Sequence, residues 1–350
     1  MIGQADNHDI KRKTIAILKI LHDSHDPLGG RVIARQLSDI GIDLGERAVR
    51  YHLKIMDAQG YTRCDGRRDG RMITPKGIEE LNSALVTDRI GSVAAKIEQL
   101  AYRTSFDLKK RSGDIPINIS ILSRKSLGPA LEAMSAAFRA GICVSDLVSI
   151  AFEGEELGGQ IMPSGMVGLA TVSCVAISSA ILKAGIPLDT RFGGILQIHD
   201  RQPVRFVELI EYSGCSVNPA EILIASRMTS VASAARHGEG KILANMIEIP
   251  VVCRPAAMAI LNELANAGFT GTIGVGKANE SLYEVPAETN KLGIVLQSGL
   301  NPVAATVEAN IEIENHAMSG LIDYKRLLKF EEITEKAGSD PIAASNCRGH

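Results

Sequence analysis

Two stripes of side chains recur at helical spacing within residues 45–61, and they differ in character. The first is basic and aromatic, at i, i+3, i+4 and i+7, and consists of Arg47, Arg50, Tyr51 and Lys54. The second is apolar and consists of Val49, Leu53 and Met56. Because a helix turns once every 3.6 residues, each stripe occupies its own face. A helix that buries one face and exposes arginines on another is typical of a recognition helix that enters a groove of DNA.

The segments around this helix predict a winged helix-turn-helix. Upstream, residues 9–23 and 31–40 are predicted to form two helices, the first with Ile10, Thr14, Ile17, Leu18 and Leu21 facing inward. Downstream, strands at 61–64 and 71–73 flank a basic tip at 66–70, and Thr74-Pro75 predicts the start of a further helix. The wing arginines Arg67, Arg68 and Arg71 would meet phosphates or the minor groove. The alternative is a winged helix that contacts protein, a use that usually lacks a basic recognition face.

Charge divides the chain in the same place. Residues 8–77 carry a net charge of +5, and the remainder carries −7. A basic N-terminal domain in front of an acidic remainder indicates that the N-terminal domain binds phosphates and that the remainder does not. Chance variation between domains would give the same asymmetry.

The composition is that of a globular protein with more than one domain. The 350 residues are 45% hydrophobic, with six scattered cysteines and no C-x-x-C pair. The first residues have no apolar core typical of a signal peptide, so we expect reduced thiols in a cytoplasmic protein. No run of about 18 apolar residues predicts a membrane span, and we expect no membrane partner.

From about residue 115 the sequence has short apolar runs and alanine-rich helices, a pattern that predicts an α/β or α+β fold. The segment from Cys174 resembles the segment from Cys253, because each has a cysteine at a helix start and a helix that ends in Ala-Gly. The segment from Glu211 resembles the one from Leu296, with Ser-Gly, a turn and Asn-Pro. These similarities predict two related halves at 165–250 and 251–330. Residues 331–350 are polar and predict a loose tail.

Several predicted helix starts could bind an anion through their N–H groups and the positive end of the helix dipole. They are Asn218-Pro219, Asn301-Pro302 and the run from Thr171 to Cys174. The alternative at each start is ordinary capping.

The segment Gly271–Ala278 matches G-x-x-x-x-G-K, but Ala278 replaces the Ser or Thr of a P-loop, which favours a plain strand.

No catalytic or metal-binding constellation is evident, so we expect neither an enzyme nor a metal site. His199-Asp200 is interpreted as a surface pair, and Cys174 and Cys253 as packing thiols. The competing hypothesis is a metabolite-processing enzyme fused to a DNA-binding head, and it would need a base or nucleophile in a cleft.

Three segments resemble the effector domain of the NrpR family, archaeal repressors of nitrogen-assimilation genes. They are IMPSGMVGLATVSCVAISSAILKAGIPLDTRFGGILQI, SGCSVNPAEI and QSGLNPVAATVEANIEIE. The similarity covers about residues 89–330, and the winged helix fits the same architecture. It implies domains at 8–80 (winged helix), 81–104 (linker helix and start of the effector domain), 105–330 (effector domain) and 331–350 (tail). One departure is Ser173-Cys174, where the family would have Cys then Ser.

The resemblance also implies a function: a homodimer that binds palindromic double-stranded operators and is relieved by 2-oxoglutarate as effector, with no other cofactor. This chain carries one effector domain, so a second NrpR-type effector protein or a PII-type nitrogen signalling protein is a candidate partner for sensing. A dicarboxylate needs N–H donors and an arginine fork. The candidate effector contacts are Thr171, Ser173, Arg191, Ser213, Asn218, Arg227, Arg254 and Asn301. Arg191 is the first choice among the arginines, and its alternative is a surface position.

Overall fold

The computed structural model describes residues 2–22, 24, 27–64, 70–83, 91–278 and 280–338. The chain divides into two compact units between Arg89 and Ile90. The elements of the first unit are α1 (Ile2–His22), α2 (Gly30–Asp39), α3 (Glu46–Gln59), β1 (Thr62–Cys64), β2 (Arg71–Ile73) and α4 (Pro75–Ser83).

The first unit is a winged helix, as predicted. Its core joins α1, α2 and α3 through residues that include Leu18, Leu37 and Val49, all fully buried. Gly60 ends α3 with φ of 77°. The wing strands pair with Thr62 opposite Ile73.

Two details of the first unit test the sequence patterns. Thr74 caps α4, since its Oγ1 accepts a hydrogen bond from the Gly77 N–H at 3.0 Å. The prediction that Ile10 faces inward is wrong. Ile10 is 48% exposed, because the core reaches α1 only from Ile15 onward.

The second unit is an α+β structure. Its elements are α5 (Ser92–Arg103), β3 (Asp114–Ser123), α6 (Leu127–Arg139), β4 (Leu147–Ala151), β5 (Glu156–Leu157), β6 (Gln160–Ile161), β7 (Met166–Val172), α7 (Val175–Lys183), β8 (Asp189–His199), β9 (Gln202–Glu211), α8 (Pro219–Ala225), α9 (Val231–His237), β10 (Gly240–Pro250), α10 (Arg254–Asn266), β11 (Thr272–Val275), β12 (Lys291–Gln297), α11 (Asn301–Glu308), β13 (Glu314–Asp323), β14 (Leu328–Lys329) and α12 (Phe330–Gly338).

Two five-stranded antiparallel sheets organise this unit, in the orders β13-β3-β7-β4-β14 and β9-β8-β10-β12-β11. The series β3-α6-β4-β7-α7-β8 is repeated as β10-α10-β11-β12-α11-β13. In each copy a short 3-10 turn joins the first strand to a 13-residue helix. The last strand of each copy pairs with the first strand of the other, so the two copies exchange strands.

The repeat therefore spans 114–199 and 240–323, and the predicted halves at 165–250 and 251–330 are wrong. The error came from the Ala-Gly helix ends. Gly141, Gly185 and Gly268 all adopt positive φ after an alanine. Gly141 and Gly268 end the matching helices α6 and α10, whereas Gly185 ends α7, so the shared capping conformation does not identify a place in the repeat.

The C-terminal segment is also more ordered than the predicted tail at 331–350. Residues 330–338 form α12, in which Ile333 is buried and the Phe330 ring stacks on Phe138 with centroids 4.1 Å apart. Two apolar anchors thus hold a helix that is otherwise polar. Residues 339–350 of the predicted tail lie outside the described part of the chain.

Candidate functional site: a basic helix and an effector cavity

The exposed face of α3 carries the predicted DNA contacts. Val49, Leu53 and Met56 are buried, as the apolar stripe requires. The four residues of the other stripe are exposed: Arg47, Arg50, Tyr51 and Lys54. Tyr51 is 66% exposed, so its ring is available on the same face as the two arginines. Arg50 pairs with Glu46 one turn earlier, at 2.7 Å.

The wing gives a different result for its arginines. Arg71 is half-buried, and its Nε donates to Asp57 Oδ2 at 2.8 Å, so this side chain ties the wing to α3. Arg67 and Arg68 lie outside the described residues. Arg63 on β1 is exposed.

A cavity of about 460 Å³, its open mouth included, lies where the two copies of the repeat meet. The starts of α7 and α11 both line it, with Ser173, Cys174 and Val175 from one and Ser298, Gly299 and Leu300 from the other. The start of α8 adds Asn218 and Ala220.

The two helix starts are built in the same way. Ser173 directly follows β7, and its Oγ accepts from the Val175 N–H at 3.3 Å. Ser298 directly follows β12, and its Oγ accepts from the Leu300 N–H at 3.2 Å. Their own N–H groups donate to Pro116 O and Leu243 O, each at 3.0 Å. The cavity therefore has two matching positive helix ends, one from each copy of the repeat.

Two asparagines extend this symmetry. Asn118 on β3 and Asn245 on β10 each lie nine residues before the next helix, and both line the cavity. Asn118 Oδ1 accepts from the Met318 N–H at 3.0 Å. Asn245 Oδ1 accepts from the Tyr212 hydroxyl at 2.6 Å. None of the residues that line the described cavity is Arg, Lys, Asp or Glu, so its polarity comes from amides, hydroxyls and helix ends.

The structure brings together some of the predicted effector contacts. Ser173 and Asn218 line the cavity. Thr171 is buried one layer behind, where its Oγ1 accepts from Asn118 Nδ2 at 3.3 Å. Ser213 is exposed beside the lining residue Tyr212. Asn218 caps α8, as its Oδ1 accepts from the Ala220 N–H at 2.9 Å.

Asn301 corrects a detail of the prediction. It was expected to cap α11, but Leu300 is the capping residue and Asn301 is the first residue of the helix. Its side chain is fully buried and binds the backbone of Leu243 instead. The neighbouring strand offered an unpaired N–H that the local Asn-Pro pattern does not reveal.

The three arginines lie outside the cavity lining. Arg191 pairs with Glu288 and with the buried Glu248, the latter at 3.6 Å. Arg227 donates to Asn310 Oδ1 at 2.6 Å, and Arg254 donates to Gly276 O at 3.1 Å. Each guanidinium thus has an intramolecular partner, and the predicted arginine fork is not assembled in this arrangement.

The sequence interpretation missed most of the cavity. Its further polar lining residues are Asn118, Ser178, Thr190, Tyr212, Asn245 and Ser298. The serine that directly follows a buried strand in both copies was the available signal. The Ala-Gly helix ends conceal this signal, because they pair α7 with α10, two helices from different places in the repeat.

The thiol in the cavity is a poor nucleophile. Desolvation raises the pKa of Cys174 to about 11, so at neutral pH it is a protonated packing thiol, as predicted.

The P-loop-like segment is a strand, as expected, because Thr272–Val275 form β11 and Lys277 pairs with Glu280 at 3.7 Å beyond it. His199 and Asp200 lie on the surface with Glu239, and all three are exposed.

Within the described residues, no helix combines the length and the apolar character needed to cross a membrane.

Comparison with known proteins gives two family matches. Residues 90–329 match the NrpR regulatory domains NRD1 and 2, and residues 15–81 match the Ribonuclease R winged-helix domain. A crystal structure of a nitrogen repressor-like protein from Methanococcus jannaschii is similar, with a TM-score of 0.57 and 24% identity. It covers 67% of this chain and 97% of that one, and it supports the fold.

Sequence relatives agree. The global nitrogen regulator NrpRI of Methanosarcina mazei is 41% identical, over 91% of this chain and 98% of that protein. The global nitrogen regulators NrpR of Methanococcus maripaludis and Methanocaldococcus jannaschii are 31% and 30% identical. The matches cover 93% and 94% of this chain but only 57% and 58% of those two proteins. Because one family model matches residues 90–329, and a regulator that is matched over 98% of its length is 41% identical, the chain belongs to the NrpR family of nitrogen regulators.

Proposed function

We propose that this chain represses nitrogen-assimilation genes by binding palindromic operator DNA as a dimer. The observation that carries the proposal is the exposed basic face of α3, presented by a helix whose other face is buried. Arg47 and Arg50 are suited to guanine edges in the major groove, and Lys54 to phosphates.

We propose further that 2-oxoglutarate relieves repression. The cavity supports this role because it offers two matching helix starts, one for each carboxylate of a short dicarboxylate. The Nδ2 groups of Asn118 and Asn245, which donate to Thr171 Oγ1 and Cys174 Sγ, supply additional donors once these bonds rearrange. The proposed ligand contacts are therefore residues of the cavity. Arg191, Arg227 and Arg254 are not among them, because each of these arginines has another partner.

Relief requires that the effector bind the DNA-free arrangement more tightly, because equal affinity for both arrangements would shift nothing. In our proposal the response arises in this chain directly, or through a second NrpR-type effector protein or a PII-type nitrogen signalling protein. In either case the dimer would change so that its two recognition helices no longer match half-sites about one helical turn apart.

The test measures operator affinity of the full chain at fixed salt, with and without 2-oxoglutarate. We expect tighter binding to a palindromic operator than to random DNA, and weaker operator binding with 2-oxoglutarate. L-glutamate is the control, because it keeps both carboxylates and lacks the keto group. If operator and random DNA bind equally, the repressor proposal fails. If only an added effector protein restores the response, sensing lies in the partner.

The dimer is tested separately by sedimentation of the full chain. We expect a dimer at micromolar concentration, because a single helix-turn-helix unit reads only one half-site. A monomer at that concentration, with and without operator DNA, would contradict the palindromic mode of binding.

A further inference from the structure

The helix α5 has a special place in the chain. It is the first described element of the regulatory unit and begins at Ser92, just after the division between the two units at Arg89 and Ile90. In sequence, α5 is therefore the described element of the regulatory unit that stands nearest to the winged helix.

The same helix packs against the walls of the cavity. Its buried face carries Val93, Ile97, Leu100 and Ala101. It contacts α7, β13 and the turn at Tyr212–Gly214. All three of these elements line the cavity, and α5 itself adds Ile97 to the lining. At the start of α5, Gly91 lies so close to Ser213 that an added Cβ would be 3.3 Å from its carbonyl oxygen.

A polar bridge fixes α5 to this wall. Lys96 Nζ donates to the Ala317 carbonyl at 3.2 Å, and Glu221 Oε1 accepts from the Ala317 N–H at 2.6 Å. Ala317 lines the cavity, and Glu221 belongs to α8, whose start lines it too. Desolvation lowers the pKa of Lys96, while the Glu221 carboxylate acts in the opposite direction. One residue of β13 is thus held on its two sides by α5 and α8.

We propose that α5 transmits the state of the cavity to the DNA-binding unit, and that Lys96 is the positioning residue that makes this transmission possible. The inference rests on the proposed effector function. A ligand drawn between the helix starts displaces the Ala317 segment of β13 and contacts Ile97. Because Lys96 ties α5 to Ala317, the helix moves with the wall rather than sliding over it. Without the bridge, the cavity would still bind its ligand, and the winged helix would not respond.

The experiment uses the full chain and Lys96→Met, which keeps the aliphatic stem and removes the ammonium. Calorimetry measures 2-oxoglutarate affinity, and fluorescence anisotropy measures operator affinity with and without 2-oxoglutarate. We expect ligand binding and the melting temperature to persist. The ratio of operator affinities should fall by about fivefold or more, the lower end of ordinary allosteric coupling.

Two controls isolate the bridge. Lys96→Arg keeps the charge and the donors and should retain most of the coupling. Lys125→Met removes the charge of an exposed lysine in the turn before α6 and should behave as wild type. A merely structural role for Lys96 would lower stability in Lys96→Met without separating ligand binding from the DNA response.

Each outcome decides the matter. A wild-type coupling ratio in Lys96→Met overturns the inference and leaves the proposed function standing. Loss of ligand binding in Lys96→Met overturns it too, because Lys96 would then be a ligand contact. A wild-type chain that binds operator but ignores 2-oxoglutarate refutes direct sensing and this inference together. If Lys96→Met does not fold, Lys96→Gln, whose shorter amide removes the charge and cannot span the same distance to Ala317, replaces it, and an unchanged ratio there overturns the inference.

Discussion

The side chain of Asn301 binds both backbone groups of Leu243. Its Oδ1 accepts from the N–H at 2.8 Å, and its Nδ2 donates to the C=O at 3.0 Å. In the other copy of the repeat, Pro116 stands in place of Leu243, since Ser173 binds Pro116 O as Ser298 binds Leu243 O. A proline has no N–H to satisfy, and Ala176 occupies the position that matches Asn301. The two copies differ here because only one strand presents a donor.

Asn301→Ala should therefore lower the free energy of unfolding by about 1–3 kcal/mol, because it leaves the buried Leu243 N–H without an acceptor. Urea unfolding followed by circular dichroism would measure the change. Asn262→Ala is the control, since Asn262 is exposed on α10, and its effect should lie within about 0.5 kcal/mol. Equal losses in both variants would show that the Asn301 bonds add nothing.

The second prediction concerns Gly299, which lines the cavity at the start of α11 and packs closely against Val172 and Asn118. A Cβ at this position would lie 2.0 Å from the Val172 carbonyl oxygen and 2.6 Å from Asn118 Nδ2. Gly299→Ala must displace the start of α11, so we expect loss of 2-oxoglutarate binding by calorimetry and a lower melting temperature. Gly128→Ala is the matched control, because nothing lies within 4 Å of its added Cβ. If Gly299→Ala binds 2-oxoglutarate like wild type, the ligand does not occupy this cavity.

The winged helix could be predicted from sequence because its evidence is local. The stripes of α3, the Gly60 end and the Thr74 cap all lie within a few residues of the structure that they produce. The cavity depends on contacts between residues far apart, such as Asn118 and Met318. The exchange of β8 and β13 between the sheets leaves no periodic signal. Helix-start chemistry found Ser173 and Asn218, but only the fold shows that they share one cavity.

The third prediction separates a structural role of Arg191 from a ligand role. Glu248 is fully buried, and its nearest cations are Arg191 at 3.6 Å and Lys291 at 3.9 Å. Removing one partner of a buried ion pair is costly, but Lys291 remains and Arg191 is partly exposed, so we expect Arg191→Ala to destabilise by about 2 kcal/mol. Thermal unfolding would measure this, with the exposed Arg205→Ala as control. Loss of 2-oxoglutarate binding at unchanged stability would instead make Arg191 a ligand contact.

The fourth prediction tests the face of α3. Arg50 is exposed at the centre of the basic stripe, and its pair with Glu46 leaves the guanidinium on the surface. An exposed i,i+4 pair contributes only about 0.3–0.5 kcal/mol, so DNA can compete for Arg50 at little cost. If Arg50 contacts a base edge, Arg50→Ala should weaken operator binding by about 1–3 kcal/mol and affect random DNA less.

Arg68→Ala, in the wing tip outside the described residues, should weaken all sequences alike and reduce the salt dependence. Competition binding at several salt concentrations distinguishes the two, with the exposed Arg139→Ala of the regulatory unit as the control for net charge. Equal losses on operator and random DNA for Arg50→Ala would assign Arg50 to the phosphates, and base reading would then fall to Arg47.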